Sequence, residues 1–149
     1  MQNCTKSPGF FLLLVAALLF MPEFSLANET KIPVSTSSPE AREMFLKGRE
    51  LVDNLRLTDA HPFFRKALAL DSGFALAHLY LAQTAGTPKE FFADLEKAAS
   101  HADKVTEAEK LWILGVRAGA YGDVRTQRTN FSRLLELFPG DERAHMLLG

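Results

Sequence analysis

The chain has 149 residues, 47% of them hydrophobic and 23% charged, with a formal net charge of −1. That length bounds it to one modest domain, and the apolar content excludes an intrinsically disordered chain. A charge so near zero supplies no general attraction for nucleic acid or an anionic membrane, so neither is an expected partner.

Residues 1–27 predict a signal peptide. Lys6 precedes the unbroken apolar run Phe10–Met21, and Ser25 and Ala27 have the small-residue spacing of a cleavage site ending at Ala27. As a helix that run rises only about 18 Å, against about 30 Å of hydrocarbon, so no stable membrane insertion is expected after cleavage. The expected location is the periplasm or the secreted space. Cys4 is the single cysteine and lies ahead of the apolar run, so the mature chain is expected to hold no thiol, disulfide or cysteine-ligated zinc. Residues 28–38, polar and containing Ser, Thr and Pro, predict a flexible linker. Asn28 and Asn130 lie in glycosylation sequons, which matter only on a eukaryotic secretory route.

Helix signals dominate from Ser38 onward. Ser38 is the predicted N-cap of the first helix, with Pro39 in its first position. Its apolar stripe is Ala41, Met44, Phe45, Gly48, Leu51, Val52 and Leu55. A second helix is predicted to start at Asp59–Ala60, which places Pro62 in the first turn, where its missing N–H has no partner to lose. The third is GFALAHLYLAQTA, from Gly73. The fourth opens on Thr87, Pro88 and Glu90, and the fifth on a capping box of Thr106 and Glu109. The sixth is capped by Asp123 and ends before Pro139 and Gly140, and a seventh starts at Asp141. No segment alternates as a strand does. Helices with short links predict antiparallel neighbours and an all-α fold.

A repeat underlies these helices. Small residues recur at Gly48, Ala82, Gly115 and Gly149, at intervals of 34, 33 and 34. One turn earlier stand Met44, His78, Leu111 and His145, and Leu81, Leu114 and Leu148 directly precede the last three small residues. Ala60, Phe64 and Ala67 follow in the second helix; Phe131, Leu134 and Pro139 follow in the sixth. This pattern resembles the tetratricopeptide repeat, whose 34-residue unit is a pair of antiparallel helices. The resemblance covers residues 39–149, with units at about 41–74, 75–107 and 108–141 and a truncated unit from 142. It implies an α-solenoid of antiparallel helix pairs wound as a right-handed superhelix, with Phe64 and Phe131 filling the space opposite Gly48 and Gly115. Lys47, Ser72 and Gln127 depart from the family pattern, and the fourth helix does not fit it. Met146, Leu147 and Leu148 lie at the end of the array without a covering helix, so further repeats after Gly149, or a partner there, are expected.

Nothing in the chain requires catalysis. No metal-ligand pair, nucleophile elbow or phosphate loop is present, and no cofactor is expected. His78 and His145 take equivalent packing positions, and Glu90, Glu107, Glu109 and Asp123 read as caps and first-turn acids. Solenoids bind extended peptides on their concave face. The resemblance places Phe45, Leu79 and Trp112 on that face, followed four residues later by Arg49, Gln83 and Val116, with Tyr80 and Arg42 nearby. Such a column suits a protein or peptide partner with apolar anchors and an acidic group; an inter-repeat core would present the same residues. The clamp by which some family members hold a terminal carboxylate is not matched, because Phe45 and Arg49 stand in place of its lysine and asparagine. The expected function is a non-catalytic, exported binding scaffold. The alternatives are the docking arm of a longer enzyme and a spacer that binds nothing.

Overall fold

Side-chain caps set most helix starts in the computed structural model, which describes residues 31–148. The signal-peptide assignment, Cys4, Asn28 and the repeat position of Gly149 lie outside the described residues. Ser38 accepts the Ala41 N–H at the start of α1 (Pro39–Asp53), and Thr87 accepts that of Glu90 in α4 (Pro88–Ser100). Thr106 and Glu109 form a reciprocal capping box on α5 (Glu107–Ala120), and Asp123 caps α6 (Val124–Leu137) through the Thr126 N–H. α3 is Ala75–Gln83 and α7 is Glu142–Leu148. A short 3₁₀ turn, Ala102–Lys104, joins α4 to α5. The described residues are thus all-helical: seven α-helices and no strand.

α2 (Leu57–Leu70) departs from expectation. It begins at Leu57 rather than Asp59, with no side-chain cap, so Pro62 sits inside the helix. The end of α1 accounts for the early start. Leu55 adopts a left-handed φ of 59°, its N–H bonds the Val52 carbonyl, and the Arg56 N–H bonds that of Leu51. This is a Schellman closure, and it turns the chain directly into α2. Leu55 is therefore not part of the apolar stripe but 87% exposed. The same closure ends α5, where Gly122 has φ 82° and the Gly122 and Asp123 N–H groups bond the Gly119 and Ala118 carbonyls. Leu55 and Gly122 are 67 residues apart, two repeat lengths. Left-handed backbone costs a side-chain-bearing residue about 1–2 kcal/mol that glycine avoids, partly offset by glycine's freedom in the unfolded chain. Leu55→Gly is therefore expected to raise stability by about 1 kcal/mol in urea denaturation; a loss would mean that Leu55 packs in a way its exposure does not indicate.

The closest packing pairs α1 with α2, α3 with α4, and α5 with α6, with lighter contacts from α2 to α3, α4 to α5, and α6 to α7. Glycine makes two of these pairings possible. A Cβ built on Gly48 would stand 2.7 Å from Phe64 Cε1, and one on Gly115 would stand 2.7 Å from Phe131 Cδ1 and closer still to its Cε1. The two sites, again 67 residues apart, have the same surroundings: a buried aromatic ring laid against bare helix backbone. α3 is buried over nearly its whole circumference, from Ala75 to Ala82, as expected of a helix with neighbours on all sides. His78 belongs to that interior. Its Nε2 donates to the Ser72 carbonyl at 3.2 Å and its Nδ1 lies 3.5 Å from Asp94. Burial lowers its pKa below the usual histidine value against the pull of the Ser72 carbonyl and Asp94, so the neutral ring is favoured.

The linker expectation fails for residues 31–38. Ile32 and Val34 are 3% and 8% exposed and belong to the core. The reason is composition on a finer scale. Two β-branched residues separated by one place both side chains on the same side of an extended chain, and that side is covered.

Candidate functional site

Residues 31–37, here called the strap, form no helix or strand, and side chains from four other parts of the fold hold them. At one end, Asp141 Oδ2 accepts the Ile32 N–H at 2.6 Å. Asp141 is itself fully buried and gripped by Arg143, whose Nε and Nη2 reach its two carboxylate oxygens at 2.9 and 2.6 Å. In the middle, Glu109 Oε1 accepts the Ser35 N–H at 2.7 Å, while Oε2 takes the Ser35 hydroxyl and both donors of Thr106. Glu109 is fully buried without a cation; four donors satisfy it instead. Toward α1, Asp71 accepts the Thr36 hydroxyl at 2.6 Å and the Ser37 N–H at 3.2 Å. Arg42 of α1 donates to the Val34 carbonyl at 2.8 Å. Lys31 and Glu142 close the outer end with an exposed ion pair.

The electrostatics match this geometry. The Thr36 hydroxyl, opposed by partial burial, and the Ser37 and Gly73 N–H groups hold the Asp71 carboxyl below its ordinary value. For Asp141, burial favours the neutral acid, but Arg143 and the Ile32 N–H together outweigh it and keep the group ionised. Burial also disfavours the Arg143 cation, and Asp141 overcomes that in turn. The Arg143 guanidinium lies 5.6 Å from the centre of the Trp112 ring, which couples the strap's anchor to the chain's one tryptophan.

Strap and helices leave an open cavity of about 600 Å3 between them. Its walls are Ile32–Val34, the face of α1 that carries Arg42, Leu46, Arg49 and Asp53, and Arg143 of α7. Among the described residues, no group of three His, Cys, Asp or Glu side chains is placed to hold a metal ion.

The residues expected on a docking face separate into two sets. Phe45, Leu79, Tyr80 and Trp112 are buried and offer no free surface. Phe45 lies 4.9 Å from Phe74 and 5.1 Å from Tyr80, and Tyr80 lies 5.8 Å from Trp112, ring centre to ring centre. They form the core between successive helix pairs, because a helix flanked on both sides hides this face as well. Burial raises the Tyr80 pKa against the opposing charges of Arg143 and Arg49, so its hydroxyl stays protonated. Arg49, Gln83 and Val116 keep exposure. Of these Arg49 alone lines the cavity, with its guanidinium 6.0 Å from the Phe45 ring centre.

Sequence reading missed Asp71, Asp141, Arg143, Ile32 and Val34, and gave Glu109 only its capping role. The one available signal was the Ile-Pro-Val alternation inside an otherwise polar stretch. Asp71 and Asp141 are 70 residues apart, not 67, so they fall outside the repeat register that organised the rest.

The strap is held by a narrow margin. Burying two β-branched side chains contributes about 1.5–3 kcal/mol each, and each hydrogen bond to a charged group about 1.5–3 kcal/mol. Ordering seven residues costs about 1–2 kcal/mol apiece. Both sides come to about 10 kcal/mol, so the strap opens more readily than the helices beneath it. No family model matches the chain, and no curated protein compared with it matches either.

Proposed function

We propose that this chain is an exported α-solenoid of the tetratricopeptide type. It binds extended protein segments, without catalysis of its own, along the face that the strap occupies. The single observation supporting this reading is the strap itself: a chain segment without helix or strand lies across the helix array, its backbone read by Asp71, Glu109, Asp141 and Arg42. Side chains that grip main-chain groups recognise an extended chain as such, and the sockets for alternate residues select its sequence. The matched surroundings of Gly48 and Gly115 and the pairwise packing of the helices support the solenoid. The apolar run Phe10–Met21 supports export. In this reading the docking surface is the cavity wall of Arg42, Leu46 and Arg49, and the aromatic column stiffens it from behind.

The test is an array of overlapping peptides from unstructured protein segments, probed with the purified chain and with an Arg42→Glu, Arg49→Glu double variant. The wild-type chain is expected to retain a subset of peptides, and the variant to lose about tenfold or more in affinity for them through charge reversal beside the site. A chain that retains none, or a folded variant that retains the same set equally well, removes the proposal.

A further inference from the structure

We infer that residues 31–37 stand in for the ligand within the same chain, and that the partner is an unstructured protein segment of the same pattern that binds by displacing them. That pattern is two β-branched apolar residues separated by one, followed by a hydroxyl residue. The inference rests on the peptide-binding reading above and adds what the partner is and how access to it is regulated.

Three observations lead to it. First, what holds the strap is mostly not particular to the strap. Asp141, Glu109 and Asp71 take the N–H groups of Ile32, Ser35 and Ser37, and Arg42 takes the Val34 carbonyl; any extended chain presents such groups. Selectivity comes from the positions that receive the Ile32 and Val34 side chains and from Glu109, which also binds the Ser35 hydroxyl. Second, the strap is easily released. Among the described residues it makes no backbone–backbone hydrogen bond, the first belonging to Ser38 at the start of α1. Its outer end is held by an exposed ion pair, a weak type of contact. Third, there is room beside it. The cavity of about 600 Å3 runs between the strap and the Arg42–Asp53 face of α1, so an incoming segment can lie against α1 before the strap leaves. Such a device suppresses weak partners, because the tethered segment competes at high effective concentration.

The probe is a fluorescein-labelled synthetic peptide of residues 31–38, titrated by anisotropy into the native chain and into an Ile32→Ser, Val34→Ser variant. Loss of the tethered competitor is expected to tighten peptide binding by about tenfold or more in the variant. A peptide with Asp at the Ile32 position is expected to bind about tenfold more weakly than the parent. Equal affinity for the native chain and the variant overturns the displacement mechanism and leaves the peptide-binding reading standing. Absence of binding to either folded chain overturns both. Hydrogen exchange on the unmodified chain decides the matter if the variant does not fold. The amides of Ile32, Ser35 and Ser37 are expected to exchange about 100-fold or more faster than the central amides of α3 and α5. Strap amides that exchange only with global unfolding overturn the inference.

Discussion

Asp141→Asn is expected to lower the unfolding free energy by about 3 kcal/mol, the upper range for a single side-chain change in this chain. Asp141 is fully buried, and the Arg143 side chain that pairs with it is 12% exposed. Asparagine retains an acceptor for the Ile32 N–H but removes the charge, so Arg143 is left inside the protein as an uncompensated cation. Replacing both, Asp141→Asn with Arg143→Met, is expected to recover a large part of the loss, because the isolated charge rather than the missing pair is what destabilises. Urea denaturation followed by Trp112 emission reads this directly, since the Arg143 guanidinium faces that ring. The pH dependence has a definite sign. Asp141 and Asp71 have folded pKa values below their ordinary 3.8. Their contribution is therefore present above the unfolded value and disappears as pH falls through the depressed folded values. Wild-type stability is expected to fall more steeply than that of Asp141→Asn in acid below about pH 4. A single-variant loss under about 1 kcal/mol would place the pair in the range of a solvated surface contact and sink the account of the anchor.

Gly115→Ala and Gly119→Ala are expected to move stability in opposite directions although both glycines lie in α5. Alanine gains about 1 kcal/mol over glycine in a helix interior at either position. At Gly115 the new methyl meets the ring of Phe131, itself buried at 2% exposure, and the ring has no free space into which to turn. Overpacking of this kind costs about 1–3 kcal/mol, and the closeness of the approach points to the upper end, for a net loss of about 2 kcal/mol. At Gly119 the nearest group is the amide end of Gln127, 2.5 Å from where the new methyl would stand but at the tip of a flexible side chain. That end swings aside, and the helix-propensity gain of up to about 1 kcal/mol remains. Pairing Gly115→Ala with Phe131→Leu is expected to cost less than the two single changes added together, because the smaller side chain removes the overlap. Additive losses would mean that α5 and α6 do not meet where the repeat places them.

Local chemistry was readable because its signals lie within a few residues of one another. Ser38, Thr87, Thr106 and Asp123 each cap the helix their spacing announces. The 34-residue recurrence pointed to the Gly48–Phe64 and Gly115–Phe131 pairs, because a side chain absent on one helix leaves room for a ring on the next. The exception among the helix starts, α2, failed for a local reason of a rarer kind: a leucine in left-handed conformation at a position where the later repeat has glycine.

The order of residues was therefore enough to establish that the described chain is helical, where most helices begin, and which small residues face aromatic rings. Each of those follows from interactions along one helix or between helices adjacent in the chain. Packing in three dimensions made Phe45, Leu79, Tyr80 and Trp112 core rather than surface, because burial depends on how many neighbours flank a helix, and a hydrophobic stripe does not count them. It also turned an expected linker into a strap, through contacts such as Ile32 to Asp141 and Ser35 to Glu109 that span 109 and 74 residues. A carboxylate that caps its own helix and a carboxylate that also receives a distant main-chain N–H are the same letter in the same motif. Only the path of the chain through space brings the second donor within reach.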